Sequence, residues 1–294
     1  MANPLSIVFC GTPAFAIPSL KALAADPAFK IELVITQPDK PVGRHQILTP
    51  PPVKLAAQEL HLPLIQPENI NDQATSQMLK ATSCNFLVVV AYGQLLKQAI
   101  LDLPTIAPVN VHASLLPRWR GASPIQHALL AGDAVTGVTI QNMVRELDAG
   151  SVLAQSRITI AARETAQTLS GRLAIEGARL LVETLKAPLH PQEQDKSKIT
   201  VCRKLSRKDG EVNPETMTAE EIDRRVRALT PWPGVTCVIN GTTVKLLTTA
   251  LMETPASYPL PCAKGTTLFI TRLQTAGKKP VTGAEWMRGH AKRG

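Results

Sequence analysis

Apolar residues in the first half of the chain come in short unbroken runs instead of alternating with polar ones. Residues 5–10 (LSIVFC), 31–36 (IELVIT), 86–90 (FLVVV) and 106–112 (IAPVNVH) are such runs, rich in β-branched side chains. Runs of this kind are strands covered on both faces, the habit of parallel sheets. Helix-compatible patterns separate them at residues 14–25, 53–60, 72–80 and 94–101. The alternation requires crossover connections and predicts an α/β fold with a Rossmann-like, mostly parallel sheet. Residues 137–143 and 151–160 read as further strands. Residues 165–186 read as a closing helix with Thr165, Leu169, Leu173, Ile175, Leu180 and Leu181 along its packed side.

Past residue 186 the pattern changes. Residues 187–198 (APLHPQEQDKSK) are polar, carry two prolines and show no apolar period, which marks a connection between domains. A helix over 218–229 follows, then strand-like runs at 235–239, 243–248 and 266–273, with Asn240-Gly241 as a hairpin turn. A small OB-like β-barrel preceded by a helix fits this best. The expected organisation is an α/β catalytic domain over 1–186, a linker over 187–202 and a basic β-barrel domain over 203–294.

Charge sharpens the division. The 294-residue chain carries a net charge of +9. Residues 1–202 hold 17 Lys and Arg against 15 Asp and Glu, net +2, whereas residues 203–294 hold 15 against 8, net +7. A near-neutral first domain joined to a basic last third suggests chemistry in one and a polyanion partner at the other. The five cysteines (Cys10, Cys84, Cys202, Cys237 and Cys262) are odd in number and never spaced Cys-x-x-Cys. They argue against a zinc site or disulfide framework and for a reducing, cytoplasmic setting. No apolar run reaches the roughly 18 residues of a membrane span, so no membrane association is expected. The N-terminus reads as a first strand, not a signal peptide. No obligate protein partner is evident.

Candidate chemistry clusters in residues 110–122 (NVHASLLPRWRGA). Asn110 and His112 share one face of a strand at period two, near its carboxyl end. In open α/β sheets that end is where ligands bind. An amide donor beside an imidazole suits a reaction in which negative charge grows on an oxygen. Asp148, within Glu146-Leu147-Asp148-Ala149-Gly150, is by itself ordinary turn chemistry. Near His112 it would orient the ring and accept a proton. Taken singly, each of the three also has a purely structural reading. After the first strand, Phe9-Cys10-Gly11-Thr12-Pro13 is no G-x-G-x-x-G, and no Walker-type G-K-[ST] occurs. A nicotinamide nucleotide or bound nucleoside triphosphate is therefore not expected.

The run 110–122 closely resembles the N-x-H-x-S-L-L-P-x-x-R-G-A segment of the folate-dependent formyltransferases, and 146–150 resembles that family's catalytic Asp loop. Residues 9–15 are similar to its F-x-G-T-P-x-F opening, 88–93 (VVVAYG) to its pterin-side loop and Gly137-Val138-Thr139-Ile140 to its G-V-T-I strand. The likeness covers nearly the whole chain. It implies the formyltransferase fold, with Asn110, His112 and Asp148 as a catalytic triad. Asn110 and His112 would donate to the developing oxyanion, and Asp148 would hold His112. The resemblance also implies a folate site lined by Val90, Tyr92, Gly93, Ser114, Leu115, Leu116 and Pro117. 10-Formyltetrahydrofolate would be the formyl donor and tetrahydrofolate its product, with no metal.

Residues 37–44 (QPDKPVGR), continuing into 49–53, resemble the loop that tRNA-acting members of this family lay against the acceptor stem, with Arg44 carried over. Residues 227–234 (RALTPWPG) resemble the R-A-x-x-P-W-P-G signature of their C-terminal domain. The implied reaction is formylation of the methionine amino group on initiator tRNA, for translation initiation. The basic domain would grip the RNA through Arg224, Arg225, Arg227, Lys278 and Lys279. A chain ending near Lys198 is expected to keep the folate site. Two readings remain open beside this one: a formyltransferase acting on an amino-sugar nucleotide, and a non-catalytic RNA-binding protein on the same fold.

Overall fold

A computed structural model describes residues 3–43 and 45–290, the last by its backbone alone. Arg44, expected in the acceptor-stem loop, lies outside the described residues. In chain order the strands are β1 (Leu5–Gly11), β2 (Phe29–Ile35), β3 (Lys40–Val42), β4 (Ile47–Thr49), β5 (Leu64–Ile65), β6 (Phe86–Val90), β7 (Ala107–His112) and β8 (Arg120–Gly121). They continue as β9 (Val135–Asn142), β10 (Val152–Thr159), β11 (Val201–Cys202), β12 (Val235–Ile239), β13 (Thr242–Ala250), β14 (Tyr258–Pro261), β15 (Thr267–Thr275) and β16 (Val281–Thr282). The α-helices are α1 (Ile17–Ala25), α2 (Pro52–Glu59), α3 (Gln73–Thr82), α4 (Gln98–Leu101), α5 (Pro124–Ala131), α6 (Ala166–Lys186), α7 (Ala219–Leu229) and α8 (Gly283–His290).

The chain forms two compact units. The first takes the chain up to Gly121, then Val135–Thr159 and Ser170–Val201. Its sheet runs in the order β10-β9-β7-β6-β1-β2-β5. The five strands from β7 to β5 are parallel, and β9 and β10 add on in antiparallel pairing, so the expected mostly parallel sheet is present. All of β6 and the last five residues of β1 are buried. Their unbroken apolar runs therefore reflect a sheet covered on both faces.

Register fixes which residues share a face. Cys10 pairs with Val89 and Val89 with Asn110, so Asn110 and His112 stand on the same side of the sheet as the core of Val8, Cys10, Leu87 and Val89. Val111 stands on the other side, under α6, where a Cβ on Gly177 would lie 3.0 Å from its Cγ1. From β1 the chain goes first to β2 and β5, then to β6 and β7 on the other flank. The β1–β6 pair is thus the topological switch point. The Thr12 hydroxyl ties its two exit loops together by donating to the Tyr92 carbonyl at 2.7 Å.

Some elements depart from the sequence expectation. The helix expected over 94–101 forms only as α4, because Gln94 and Asn71 bind the preceding chain as a loop. The Gln94 side chain accepts from the Ile70 N–H at 2.9 Å, and Asn71 accepts from the Lys97 N–H at 2.8 Å. Ile175, expected on the packed side of α6, is 67% exposed. It lies two residues past Leu173, about 200° around the helix. Residues 187–198, expected as a bare connection, run along the first unit, where Gln192 and Val152 exchange both backbone hydrogen bonds at 2.8 Å.

The second unit gathers Ala122–Ala134, Ile160–Leu169 and the chain from Cys202 onward. Its antiparallel sheet runs β12-β13-β15-β14, with β16 paired to β15. Ahead of it lies α7, opened by a capping box in which the Glu221 N–H donates to the Thr218 hydroxyl and the Thr218 N–H to the Glu221 carboxylate. α5 packs on α7. Asp223 on α7 is 1% exposed and accepts from Arg163 at 2.8 Å, Arg227 Nε at 2.9 Å and the Thr249 hydroxyl at 2.8 Å. Arg163 also donates to the Thr249 carbonyl and Arg227 to that of Glu164, so the 160–169 segment is bolted to α7 and β13. A chain ending near Lys198 would lack the partners of α5 and of the 160–169 segment, both of which belong to this second unit.

Because Arg227 is nearly buried, removing its carboxylate partner leaves an uncompensated charge in the interior. Asp223→Ala should cost about 3–5 kcal/mol of stability in this unit, whereas loss of the half-exposed Arg163 should cost about 1 kcal/mol or less. Denaturant unfolding of the two variants against the parent checks the ordering.

Candidate active site

Asn110 and His112 are delivered by the carboxyl end of β7, beside β6 and one strand from the switch point. The Asn110 side chain is half-buried, and its amide has no hydrogen-bond partner among the described residues. His112 is 6% exposed. Its Nε2 lies 2.9 Å from the Trp119 carbonyl. A carbonyl oxygen can only accept, so Nε2 carries a hydrogen and donates it. Nδ1 faces the Asp148 carboxylate at 3.5 Å. The imidazole is therefore held between a backbone carbonyl and a carboxylate.

Asp148 is itself closely fixed. Its Oδ2 accepts from the Gly121 N–H at 2.8 Å and its Oδ1 from the Gln141 amide at 3.0 Å. Gln141 is the antiparallel partner of Asn110, which links the three residues through one side chain of β9. Asp148 has φ +52° and Trp119 has φ +62°. Non-glycine residues in the left-handed region cost on the order of 1–3 kcal/mol each and gather where surrounding structure over-determines them, often at functional sites. Gly150 follows because nothing larger fits: a Cβ there would lie 1.8 Å from the Asn142 carbonyl.

Sequence reasoning missed the Gly121 N–H, the Trp119 carbonyl and Gln141. Backbone groups leave no mark in a sequence. Gln141 did leave one: a glutamine buried to 2% exposure at the end of the apolar run of β9.

The expected folate-lining residues divide. Val90, the last residue of β6, and Tyr92 are both buried, whereas Ala91 and Gly93 are exposed. Tyr92 packs with Leu87 and Val89, because the left-handed backbone of Ala91 breaks the strand alternation between Val90 and Tyr92. Burial pushes the Tyr92 phenol well above its ordinary range, and its hydroxyl has no hydrogen-bond partner among the described residues. Ser114 and Leu116 are also buried, and the Ser114 hydroxyl donates to the Arg118 carbonyl at 2.6 Å. Thr139 donates to the Ser114 carbonyl and accepts from the Leu116 N–H, while Gln155 donates to the Leu116 carbonyl. Leu115 packs on Gly137, where a Cβ would come within 2.5 Å of it. Val90, Tyr92, Ser114 and Leu116 thus shape the two loops from inside. Gly93, Leu115 and Pro117 keep some accessible surface.

The expected RNA contacts divide likewise. Arg227 is turned inward onto Asp223 and Glu164, because positions 223 and 227 share one helix face at i,i+4. Arg225 donates to the Asp209 carbonyl at 3.0 Å. Arg224 Nε has no hydrogen-bond partner among the described residues, and Lys278 and Lys279 are exposed in the turn after β15. In the first unit the β3–β4 hairpin, which frames the position of Arg44, carries exposed Val42, Ile47 and Leu48.

Comparison with known proteins gives the family. The formyl transferase family matches residues 5–185, and the formyl transferase C-terminal domain matches 204–261. Methionyl-tRNA formyltransferase of Stutzerimonas stutzeri (strain A1501) is 42% identical over 296 residues, covering 96% of this chain and 93% of its own length. The enzyme of the same name from Paracoccus denitrificans (strain Pd 1222) is 39% identical over 295 residues, covering 98% of each. Among solved structures, an N-formyltransferase from Helicobacter canadensis in complex with folinic acid and dTDP-3-aminofucose shares the fold. It has a TM-score of 0.66 at 16% identity, over 94% of this chain and 100% of its own. With both family domains matched in order and such identity across almost the whole length of both relatives, this chain is a transferase that belongs to the methionyl-tRNA formyltransferase family.

Proposed function

We propose that the enzyme moves the formyl group of 10-formyltetrahydrofolate to the amino group of methionine on initiator tRNA, with Asn110, His112 and Asp148 as its catalytic residues. The observation that carries this reading is the placement of an unpartnered amide, a bracketed imidazole and a fixed carboxylate at one strand end of a formyltransferase sheet. Ala91 and Gly93, both exposed and at φ +49° and +90°, lie in the loop after β6 at the switch point, where an open backbone would suit the amide-like edge of a pterin. The donor supplies a formyl group already activated as an amide on folate nitrogen. We place this work in the cytoplasm, with charged initiator tRNA; no helix among the described residues is long and apolar enough to cross a membrane.

The methionine nitrogen forms a bond to the formyl carbon, the bond from that carbon to folate nitrogen breaks, and one proton passes from the amine to the leaving nitrogen. Negative charge grows on the formyl oxygen during attack. Asn110 is the donor for that oxygen, because its amide has no partner among the described residues, whereas His112 Nε2 already donates to Trp119. This narrows the sequence expectation, which gave His112 the same role. His112 and Asp148 take the proton instead: Nδ1 faces the carboxylate, and the carboxylate is fixed by Gly121 and Gln141. Holding two large substrates together supplies much of the remaining rate.

An amino-sugar nucleotide would use the same three residues but leaves the net +7 of residues 203–294 without a partner. A non-catalytic RNA-binding protein would leave the convergence of Asn110, His112 and Asp148 without a purpose.

Asn110→Ala should lower kcat by about 10²–10³, or about 2.7–4 kcal/mol, the usual cost of losing one oxyanion donor. His112→Ala and Asp148→Ala should also lose orders of magnitude, and the double variant should lose much less than the product of the two. Formylation of charged initiator tRNA with 10-formyltetrahydrofolate measures this. Three folded variants with near-normal rates would sink the assignment.

For the RNA, Lys278→Ala with Lys279→Ala should weaken tRNA binding and flatten its salt dependence by about 0.7–0.9 logarithmic units per lost phosphate contact. Thermal stability should not change. Arg227→Ala should do the reverse, lowering stability through Asp223 and Glu164 with little effect on the salt slope. Binding titrations across a salt series, paired with melting curves, decide between the two roles. Unchanged binding and slope in the double lysine variant would remove this turn from the interface.

A further inference from the structure

We infer that Gln194, in the segment read from sequence as a linker, is a positioning residue for the Asp148 carboxylate; this rests on the catalytic reading of Asp148. Gln194 is 8% exposed. Its Nε2 donates one hydrogen to the Asp148 carbonyl at 2.9 Å and the other to the Gly150 carbonyl at 2.7 Å. Its Oε1 accepts from Arg120 Nε at 3.0 Å. One amide thus uses both hydrogens to clamp the turn on either side of Ala149. Asp148 holds a left-handed backbone there, so the direction of its carboxylate is set by that clamp as well as by its own contacts.

The segment around Gln194 is anchored at both ends. Gln192 exchanges backbone hydrogen bonds with Val152, and Thr200 accepts from the Trp119 N–H at its hydroxyl and from the Arg120 N–H at its carbonyl. Residues 192–200 therefore tie the turn of Asp148 to the loop of Trp119. Those two loops supply both oxygens that bracket His112. A passive linker would need none of these bonds, and a merely packed glutamine would not direct both amide hydrogens at one catalytic turn.

The test separates the two ends of the amide. Gln194→Glu keeps an acceptor for Arg120 but cannot donate to the two carbonyls; Gln194→Asn keeps the amide but is one methylene short. Both should lose on the order of ten- to a hundredfold in kcat, with KM for donor and tRNA within about twofold of the parent, as when support for a functional ligand is removed. Gln194→Glu sets a carboxylate against two carbonyls and should melt below Gln194→Asn, so kcat is compared at a temperature where both are folded. Parental kcat in Gln194→Glu would overturn the inference. So would losses that appear equally in KM, or variants that do not fold, since either assigns Gln194 to stability alone. Asp148→Asn is assayed alongside. If it retains near-normal turnover, the catalytic reading itself fails; if it is inactive while both Gln194 variants are normal, only the role of Gln194 falls.

Discussion

His112 sits between two oxygens, the Trp119 carbonyl and the Asp148 carboxylate, and both come from residues whose backbone is left-handed. Neither residue is glycine, so each conformation is held against an intrinsic penalty of about 1–3 kcal/mol. What holds them is a set of individually modest hydrogen bonds. A bond to a carboxylate contributes about 1.5–3 kcal/mol and a neutral one about 0.5–1.5 kcal/mol. Gly121 and Gln141 bind the Asp148 carboxylate, and Thr200 binds the Trp119 N–H. Strain and support are of the same size, so the geometry around the imidazole depends on every one of these contacts being made.

The other half of the site rests on something stiffer. Asn110 belongs to a strand paired on both sides, with β6 in parallel and β9 in antiparallel register. The sheet beneath is covered on both faces, and α6 lies on Val111 closely enough that a Cβ on Gly177 would press on its Cγ1 at 3.0 Å. A donor that must meet charge only as it develops gains from such a mounting, since nothing then reorganises at the moment of reaction. The strand carries both Asn110 and His112, and the turns of Asp148 and Trp119 bracket the imidazole from either side. In the proposed reaction the stiff strand thus fixes both ring and amide, while the turns supply the oxygens that face the ring.

How much of this was legible follows from what kind of interaction placed each residue. Local pattern placed β1, β2, β6, β7 and the shared face of Asn110 and His112, because burial on two faces and period two are written directly in residue order. Val90 and Tyr92, which a motif resemblance had set around a ligand, are buried, and Tyr92 reaches its place through the left-handed turn at Ala91, which period two does not foresee. Gln94 and Asn71 delayed the start of the expected helix because their partners lie some two dozen residues away. Gln194 was hidden for the same reason. In sequence it is one polar residue in a polar stretch, and only the folded chain shows that its amide faces a turn 46 positions earlier.

Charge counting has a comparable limit, and the second unit shows where it lies. Net charge measures the field that a distant polyanion feels, and that field does not depend on which cations are paired. Contacts depend on it entirely. Arg203 is taken up by Asp209, whose carboxyl it holds well below the usual range; Arg225 is bound to the Asp209 carbonyl, and Arg227 to Asp223 and Glu164. Asp223 is buried with two guanidiniums and a hydroxyl around it, so those arginines hold α7 to the 160–169 segment instead of meeting a phosphate. On the proposed reading, the charge that would attract RNA to this unit and the side chains that would contact it are therefore only partly the same residues. The long-range attraction would belong to the whole surplus of charge, while contact would fall to side chains such as Lys278 and Lys279, which the fold leaves exposed.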